Sequence, residues 1–304
     1  MLTGINQKPA DFQAIIGFPF YGIGSEKYSY LGSEELFFWS LKWSYETGLP
    51  LVNFNMPRAS TQNCSDILQL ISNPLISKKY PEMITDKRPF LLLVADTAKL
   101  VQTEQAIIDQ AKLLYRSSLG YQLYQLDIKR LLTLKEELLN RLDDDYLTQK
   151  QTTDSTVRFI DFNYGFKDFD YFVGEYLNED KVIYEGEIAA KTDSLVEISM
   201  WGTGSKNFWG SAAFRVEQFD SNQVKVEEHF STENQDIDIV KKWYLLRLQI
   251  KKYHPQNRFR ITTSGHRYQY CNVLVKPAND TITVFDKQAK VWYVNNRPFK
   301  KVTQ

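Results

Sequence analysis

The sequence predicts an α/β layer, in outline a partial (β/α) barrel, followed by a jelly-roll-like β-sandwich. Three observations predict it. The hydrophobic period changes near residue 155, from strands alternating with helical stretches to short alternating strands and turns. Strand starts at Ala14, Leu49, Pro89 and Tyr121 lie 35, 40 and 32 residues apart, the pace of an eight-unit barrel that needs about 250 residues. From Val157 onward no amphipathic helix interrupts the strands. The expected domains are residues 1–150 and 155–304.

The elements follow in order. Ala14–Phe20 is an apolar run ending in the loop Tyr21-Gly22-Ile23-Gly24. Ser33 suits the N-cap of a helix with Glu34 and Glu35 in its first turn, and Gly48 suits its end. Leu49–Asn55 reads as a second strand stopped by Pro57, and Pro89–Val94 as a third. A helix from Glu104 to Ser118 is expected because Ile107, Ala111 and Leu114 recur three or four residues apart. Tyr121–Asp127 is the fourth strand, and Leu131, Leu134, Leu138 and Leu142 trace a last helical stripe. Four βα units supply only half a barrel. The layer is therefore the later half of a barrel, or a smaller open sheet. A bare half-barrel leaves two sheet edges unpaired, which self-association or the missing first half of the barrel would cover.

In the second half Val196, Ile198 and Met200 alternate with Glu197, Ser199 and Trp201, so one apolar face is expected. Phe214 and Val216 continue the pattern, as do Tyr244, Leu246, Leu248 and Ile250, then Cys271, Val273 and Val275. Asp220-Ser221-Asn222, His254–Asn257 and Pro277–Asp280 mark turns. Many short strands at close intervals are the sandwich signature.

Composition limits the partners. A chain of 304 residues with 43% hydrophobic residues can build two cores. Lys plus Arg (37) equals Asp plus Glu (37), so no net field attracts nucleic acid or anionic lipid. A neutral carbohydrate or peptide fits better. No apolar run approaches the roughly 20 residues that span a membrane, and Met1–Phe12 lacks the pattern of a signal peptide. Cys64 and Cys271 have no CxxC spacing and read as two buried thiols. His229, His254 and His266 lack ligand spacing, so neither metal nor other cofactor is expected.

The segments PFLLLVADT and GYQLYQLDI, then VEISMWG, AFRVEQFD, YCNVLVKP and VWYVNNRPF, resemble the C-terminal portion of bacterial glycoside hydrolases. In these a clan A type (β/α)8 barrel precedes a β-sandwich accessory module. The resemblance spans most of the chain and is architectural. It implies hydrolysis of a glycosidic bond by two carboxylates, the acid after the fourth strand and the nucleophile after the seventh. If the four strands are the fifth to eighth, the resemblance puts a carboxylate at Asp96, where clan A usually carries Glu, and the acid on a strand outside these four.

Asp96 and Asp127 each end an apolar strand, on the face where barrels place their chemistry. Each also reads as a loop opener or helix cap, the commoner use of Asp. Glu26 is a third carboxylate, on the first loop. Tyr21, Tyr28 and Tyr30 cluster there, suited either to stacking on a sugar ring or to ordinary packing. Trp201, Phe208 and Trp209 surround the loop WGTGSKNFWG, a platform for a glycan or a plug at the end of the sandwich. The expected function is carbohydrate-active, as a glycoside hydrolase or part of one. The alternative is a non-catalytic carbohydrate-binding or structural module.

Overall fold

A computed structural model describes residues 7–25, 28–30, 34–55, 61–76, 78, 84–96, 100–130, 158–160, 175–177, 179–188, 190–204, 212–232, 238–240, 243–254, 256–264, 268–286 and 291–301. The chain divides into two compact units, Met1–Asn140 and Arg141–Gln304. Most regular structure among these residues is β-sheet, with few helices.

In the first unit the order is β1 (Ile15–Phe18), β2 (Gly22–Ser25), β3 (Tyr28–Tyr30), α1 (Glu34–Thr47), β4 (Phe54–Asn55), α2 (Thr61–Ile71), β5 (Phe90–Ala95), α3 (Gln102–Ile108), β6 (Lys112–Arg116) and β7 (Tyr121–Leu126). The main sheet runs β1-β5-β7-β6. β5, FLLLVA, is buried along its whole length, as an unbroken apolar strand covered on both faces must be. One core cluster gathers Ile15, Leu91, Leu93 and Leu123 from the sheet with Leu36 and Trp43 of α1. α1 matches its expected span and stops at Gly48, whose φ is +71°. α2 was not anticipated.

The row of four parallel βα units needs correcting. β1 and β5 are parallel, but β7 runs antiparallel to β5, with Phe90 opposite Leu126 and Ala95 opposite Tyr121. The helix expected over Glu104–Ser118 ends at Ile108, and Leu114 lies on β6. β6 and β7 form an antiparallel pair, and Ser117 N donates to Tyr121 O across the turn. The crossover through α3 delivers β6 to the sheet edge, and the returning β7 fills the place beside β5. Of Leu49–Asn55, Leu51 bridges Ile15 in parallel and β4 pairs with β2. The described strands form an open mixed sheet in place of a row of parallel βα units. The stripe Leu131–Leu142 lies outside the described residues.

The second unit comprises β8 (Arg158–Ile160), β9 (Glu175–Leu177), β10 (Lys181–Glu187), β11 (Leu195–Gly204), β12 (Ala213–Phe219), β13 (Lys225–Thr232), β14 (Ile239–Val240), β15 (Trp243–Lys251), β16 (Arg258–Ser264), β17 (Tyr268–Pro277), β18 (Thr283–Asp286), β19 (Val291–Val294) and β20 (Arg297–Lys301). Its antiparallel sheets run β10-β16-β12-β13, β14-β15-β11-β17-β8 with β9 also on β17, and β18-β19-β20. Phe214, Val216, Phe259 and Ile261 of the first are buried, as are Ile198, Met200, Leu246 and Ile250 of the second. The arrangement is that of a β-sandwich.

β11 departs from the one-faced pattern, because Glu197, Ser199 and Trp201 are buried as well. The turn Asn295-Asn296, with φ of 47° and 64° at its two residues, joins β19 to β20. Positive φ at both positions is the two-residue hairpin geometry that Asn favours. Asn296 Nδ2 donates to Ser199 O and to Asn272 O at the β17 bulge, and Trp201 Nε1 donates to Asn296 O at 2.6 Å. The turn thus lies against the second face of β11.

Candidate functional site

The parallel pair β1/β5 ends at one edge of the first sheet, the edge where open α/β sheets receive ligands. β1 leads through the cis Phe18-Pro19 bond into Phe20 and Tyr21. Asn53 fixes this loop by accepting from Gly17 N at 2.5 Å and donating to Gly17 O and Tyr21 O, both at 3.1 Å. Gly17 allows the close approach. A Cβ there would stand 2.9 Å from Ser40 Oγ and 3.2 Å from the Tyr21 ring.

Asp96 follows β5 at this edge, exposed, its N–H donating to Gly120 O at 2.9 Å. Glu35, exposed in the first turn of α1, brings Oε1 to within 3.4 Å of the place a Gly120 Cβ would occupy. The Glu35 carboxylate and the Asp96 backbone therefore both reach Gly120. Sequence reasoning passed over Glu35, because it saw only a favourable charge at a helix start.

Asp127 is not part of this edge. It follows β7, antiparallel to β5, and Asp96 lies opposite Gly120, so seven residue steps of about 3.3–3.4 Å put Asp127 roughly 23 Å from Asp96. Paired glycosidase carboxylates stand about 5–10 Å apart. Asp127 Oδ1 instead accepts from Lys129 N at 2.9 Å, and its carbonyl accepts from Arg130 N. This is the capping role that short acidic side chains commonly take.

Tyr21 is buried rather than offered to a ligand. Its ring meets Phe37 edge-on at 5.6 Å, and burial pushes its hydroxyl above the ordinary range, partly offset by the neighbouring Ser40 hydroxyl. Tyr28 and Tyr30 lie on β3 opposite Ser25 and Gly22. Trp201 is completely buried, so it is a core residue and no platform. Glu26, Phe208 and Trp209 lie outside the described residues.

Glu104, beside this edge, was not singled out as a site. Its Oε1 accepts from Phe20 N at 2.7 Å and its Oε2 from Val101 N at 3.0 Å, tying the loop after β1 to the start of α3. A Glu three residues into a helix is the capping-box signal that could have found it. Burial raises its carboxyl above the ordinary 4.5, and the two N–H donors offset this only in part. A raised folded-state value contributes stability that is complete below the ordinary value and is lost as pH rises through the raised one. We expect the stability difference between wild type and Glu104→Gln to shrink with rising pH across that window. Urea unfolding at a series of pH values checks it, and a flat difference would contradict it.

Among the described residues, no group of three or more His, Cys, Asp or Glu could hold a metal ion, and no helix is long and apolar enough to cross a membrane. Cys64 and Cys271 are buried and form no disulfide.

No protein-family model and no curated protein matches the chain. Solved structures give only slight likenesses. The enzymatically active domain of bacteriophage CBA120 tailspike protein 4 aligns over 32% of this chain and 13% of its own, at 11% identity and a TM-score of 0.24. The CBM22-1–GH10 modules of Clostridium thermocellum endo-1,4-β-D-xylanase 10B align over 32% and 19%, at 15% identity and 0.21. TmCBM61 in complex with β-1,4-galactotriose aligns over 41% and 84%, at 10% identity and 0.24. The chain thus spans under a fifth of each of the two larger proteins. Likenesses this slight bear on neither family nor activity.

Proposed function

We propose that the chain is carbohydrate-active and that Asp96 and Glu35 are its glycan-directed carboxylates. The observation that carries this reading is that the exposed Asp96 follows β5 at the ligand-receiving edge of the parallel pair, its N–H bonded to Gly120 O, while the Glu35 carboxylate stands 3.4 Å from the Cβ position of the same glycine. Hydrolysis needs one carboxyl group to protonate the leaving oxygen and another to attack the sugar or activate water. Asp96 and Glu35 are both exposed and so open to a substrate; Glu104 is committed to two backbone donors. The balanced charge of the chain favours a neutral substrate.

The test is turnover of a panel of aryl glycosides by the full chain. Asp96→Asn and Glu35→Gln are each expected to lower turnover by at least about 100-fold, the usual worth of a positioned acid or base. Turnover unchanged in both variants would overturn the assignment.

A second reading, carbohydrate binding without catalysis, is favoured by the outer face of the four-stranded sheet in the second unit. There an exposed Phe230 lies in one cross-strand row with Arg215. Glycan retention by a chain that turns over no glycoside would select it.

A further inference from the structure

Strand register places three outward rows on the sheet β10-β16-β12-β13. They are Glu187-Arg258-Phe219-Lys225, Glu185-Arg260-Glu217-Glu228, and Val182-Thr262-Arg215-Phe230. The first two rows are held by ion pairs. Arg260 Nε meets Glu185 Oε2 at 3.1 Å with its guanidinium 5.0 Å from the Phe219 ring, and Lys225 Nζ meets Glu228 Oε2 at 2.9 Å.

The third row is unfinished. Thr262 is 3% exposed, and its Oγ1 has no hydrogen-bond partner. Arg215, its cross-strand neighbour, holds Nε 3.5 Å from Glu228 Oε1 and 3.8 Å from Glu217 Oε2, with a hydrogen bond to neither. Beyond them Phe230 and Val182 leave about half their surface in water. A shielded hydroxyl without a partner costs stability unless something satisfies it. A donor and a donor–acceptor side by side, flanked by apolar surface, match a ligand carrying hydroxyls on one edge and C–H groups on its face.

We propose that this row binds a neutral oligosaccharide. Its hydroxyls bond to Arg215 and Thr262, and a sugar ring packs over Phe230. Charge decides against an anion. Across the three rows four carboxylates, Glu185, Glu187, Glu217 and Glu228, balance four cations, Arg215, Lys225, Arg258 and Arg260. The Arg215 guanidinium already has two glutamates beside it, so a phosphate or uronate would meet repulsion where a hydroxyl would not. In the proposed complex the guanidinium, held only at ion-pair distance from Glu217 and Glu228, tilts to admit a ligand oxygen to the shielded Thr262. The inference rests on the carbohydrate reading but not on Asp96.

The test is calorimetric titration of the full chain with neutral tetrasaccharides of glucose, mannose, galactose and xylose, with a galacturonate tetrasaccharide as the charged counterpart. Wild type is expected to bind a neutral member. Phe230→Ala, an exposed change whose folding a thermal melt verifies, is expected to weaken it about tenfold. Thr262→Val keeps the shape and removes only the hydroxyl. It is expected to weaken binding about fivefold while leaving stability unchanged or raised. Asp96→Asn is expected to bind as wild type does, which separates failure of the hydrolase reading from failure of this site. Preference for the galacturonate, absence of binding to every neutral member, or binding unmoved by both sandwich variants would overturn the proposal.

Discussion

Replacing Asp238 by alanine lowers the stability of the chain by about 3–5 kcal/mol, because it strands a buried cation. Asp238 Oδ2 accepts from Arg297 Nε at 2.6 Å and forms an ion pair with its Nη2 at 2.6 Å, and the two side chains are 0% and 5% exposed. Arg297 opens β20 directly after the Asn295-Asn296 turn, and its Nη1 donates to Asn295 O at 3.2 Å. Asp238 O accepts from Leu245 N, so the pair joins the six-stranded sheet to the turn that lies on it. The penalty belongs to the uncompensated charge rather than to a large net worth of the pair. The double variant Asp238→Ala, Arg297→Met is therefore expected to recover a substantial part of the loss. Denaturant midpoints of the three proteins measure this. A single-variant loss under about 1 kcal/mol, or a double variant no better than the single, would show that solvent reaches Arg297 when its partner is gone.

The same burial shows which features were legible in the sequence. Strands were plain wherever period 2 ran long, as in β11, β12 and β15, and α1 was plain because Ser33, Glu34 and Glu35 marked its start and Gly48 its stop. The stretch from Lys112 to Arg116 was misread as helix because Leu113 and Leu114 fit either period. Pairing with β7, a tertiary contact, decided for strand and reversed the direction on which the placement of Asp127 depended. No local pattern reveals that the second face of β11 is covered, since the covering turn lies about a hundred residues downstream. Glu197 read as solvent-facing for that reason. It is instead paired at 3.2 Å with Lys276, and burial lowers the lysine's pKa while the glutamate opposes that shift. Asp96 could be singled out as a candidate because it directly follows an unmistakable strand. Glu35 escaped because its neighbour at the edge, Gly120, comes from a turn 85 residues away.

Trp201 separates a ligand platform from a core residue by the size of a stability change. On an exposed loop its removal would move stability by no more than about 0.5 kcal/mol. Buried at the centre of β11, with Leu245 and Cys271 as cross-strand neighbours, it is expected to cost about 3–5 kcal/mol as Trp201→Ala. Two losses add there. The indole leaves a cavity in a close-packed layer, and Asn296 O loses its donor, which loosens the turn that also bonds Ser199 and Asn272. Trp201→Phe keeps most of the volume and forfeits the hydrogen bond, so it should lose distinctly less. Urea midpoints for both variants provide the measurement, with glycan titration at a temperature where each is folded. A small stability loss joined to a large loss of binding would return Trp201 to the ligand. The expected pattern is the reverse, because a side chain with no exposed surface can reach a sugar only if the sheets part.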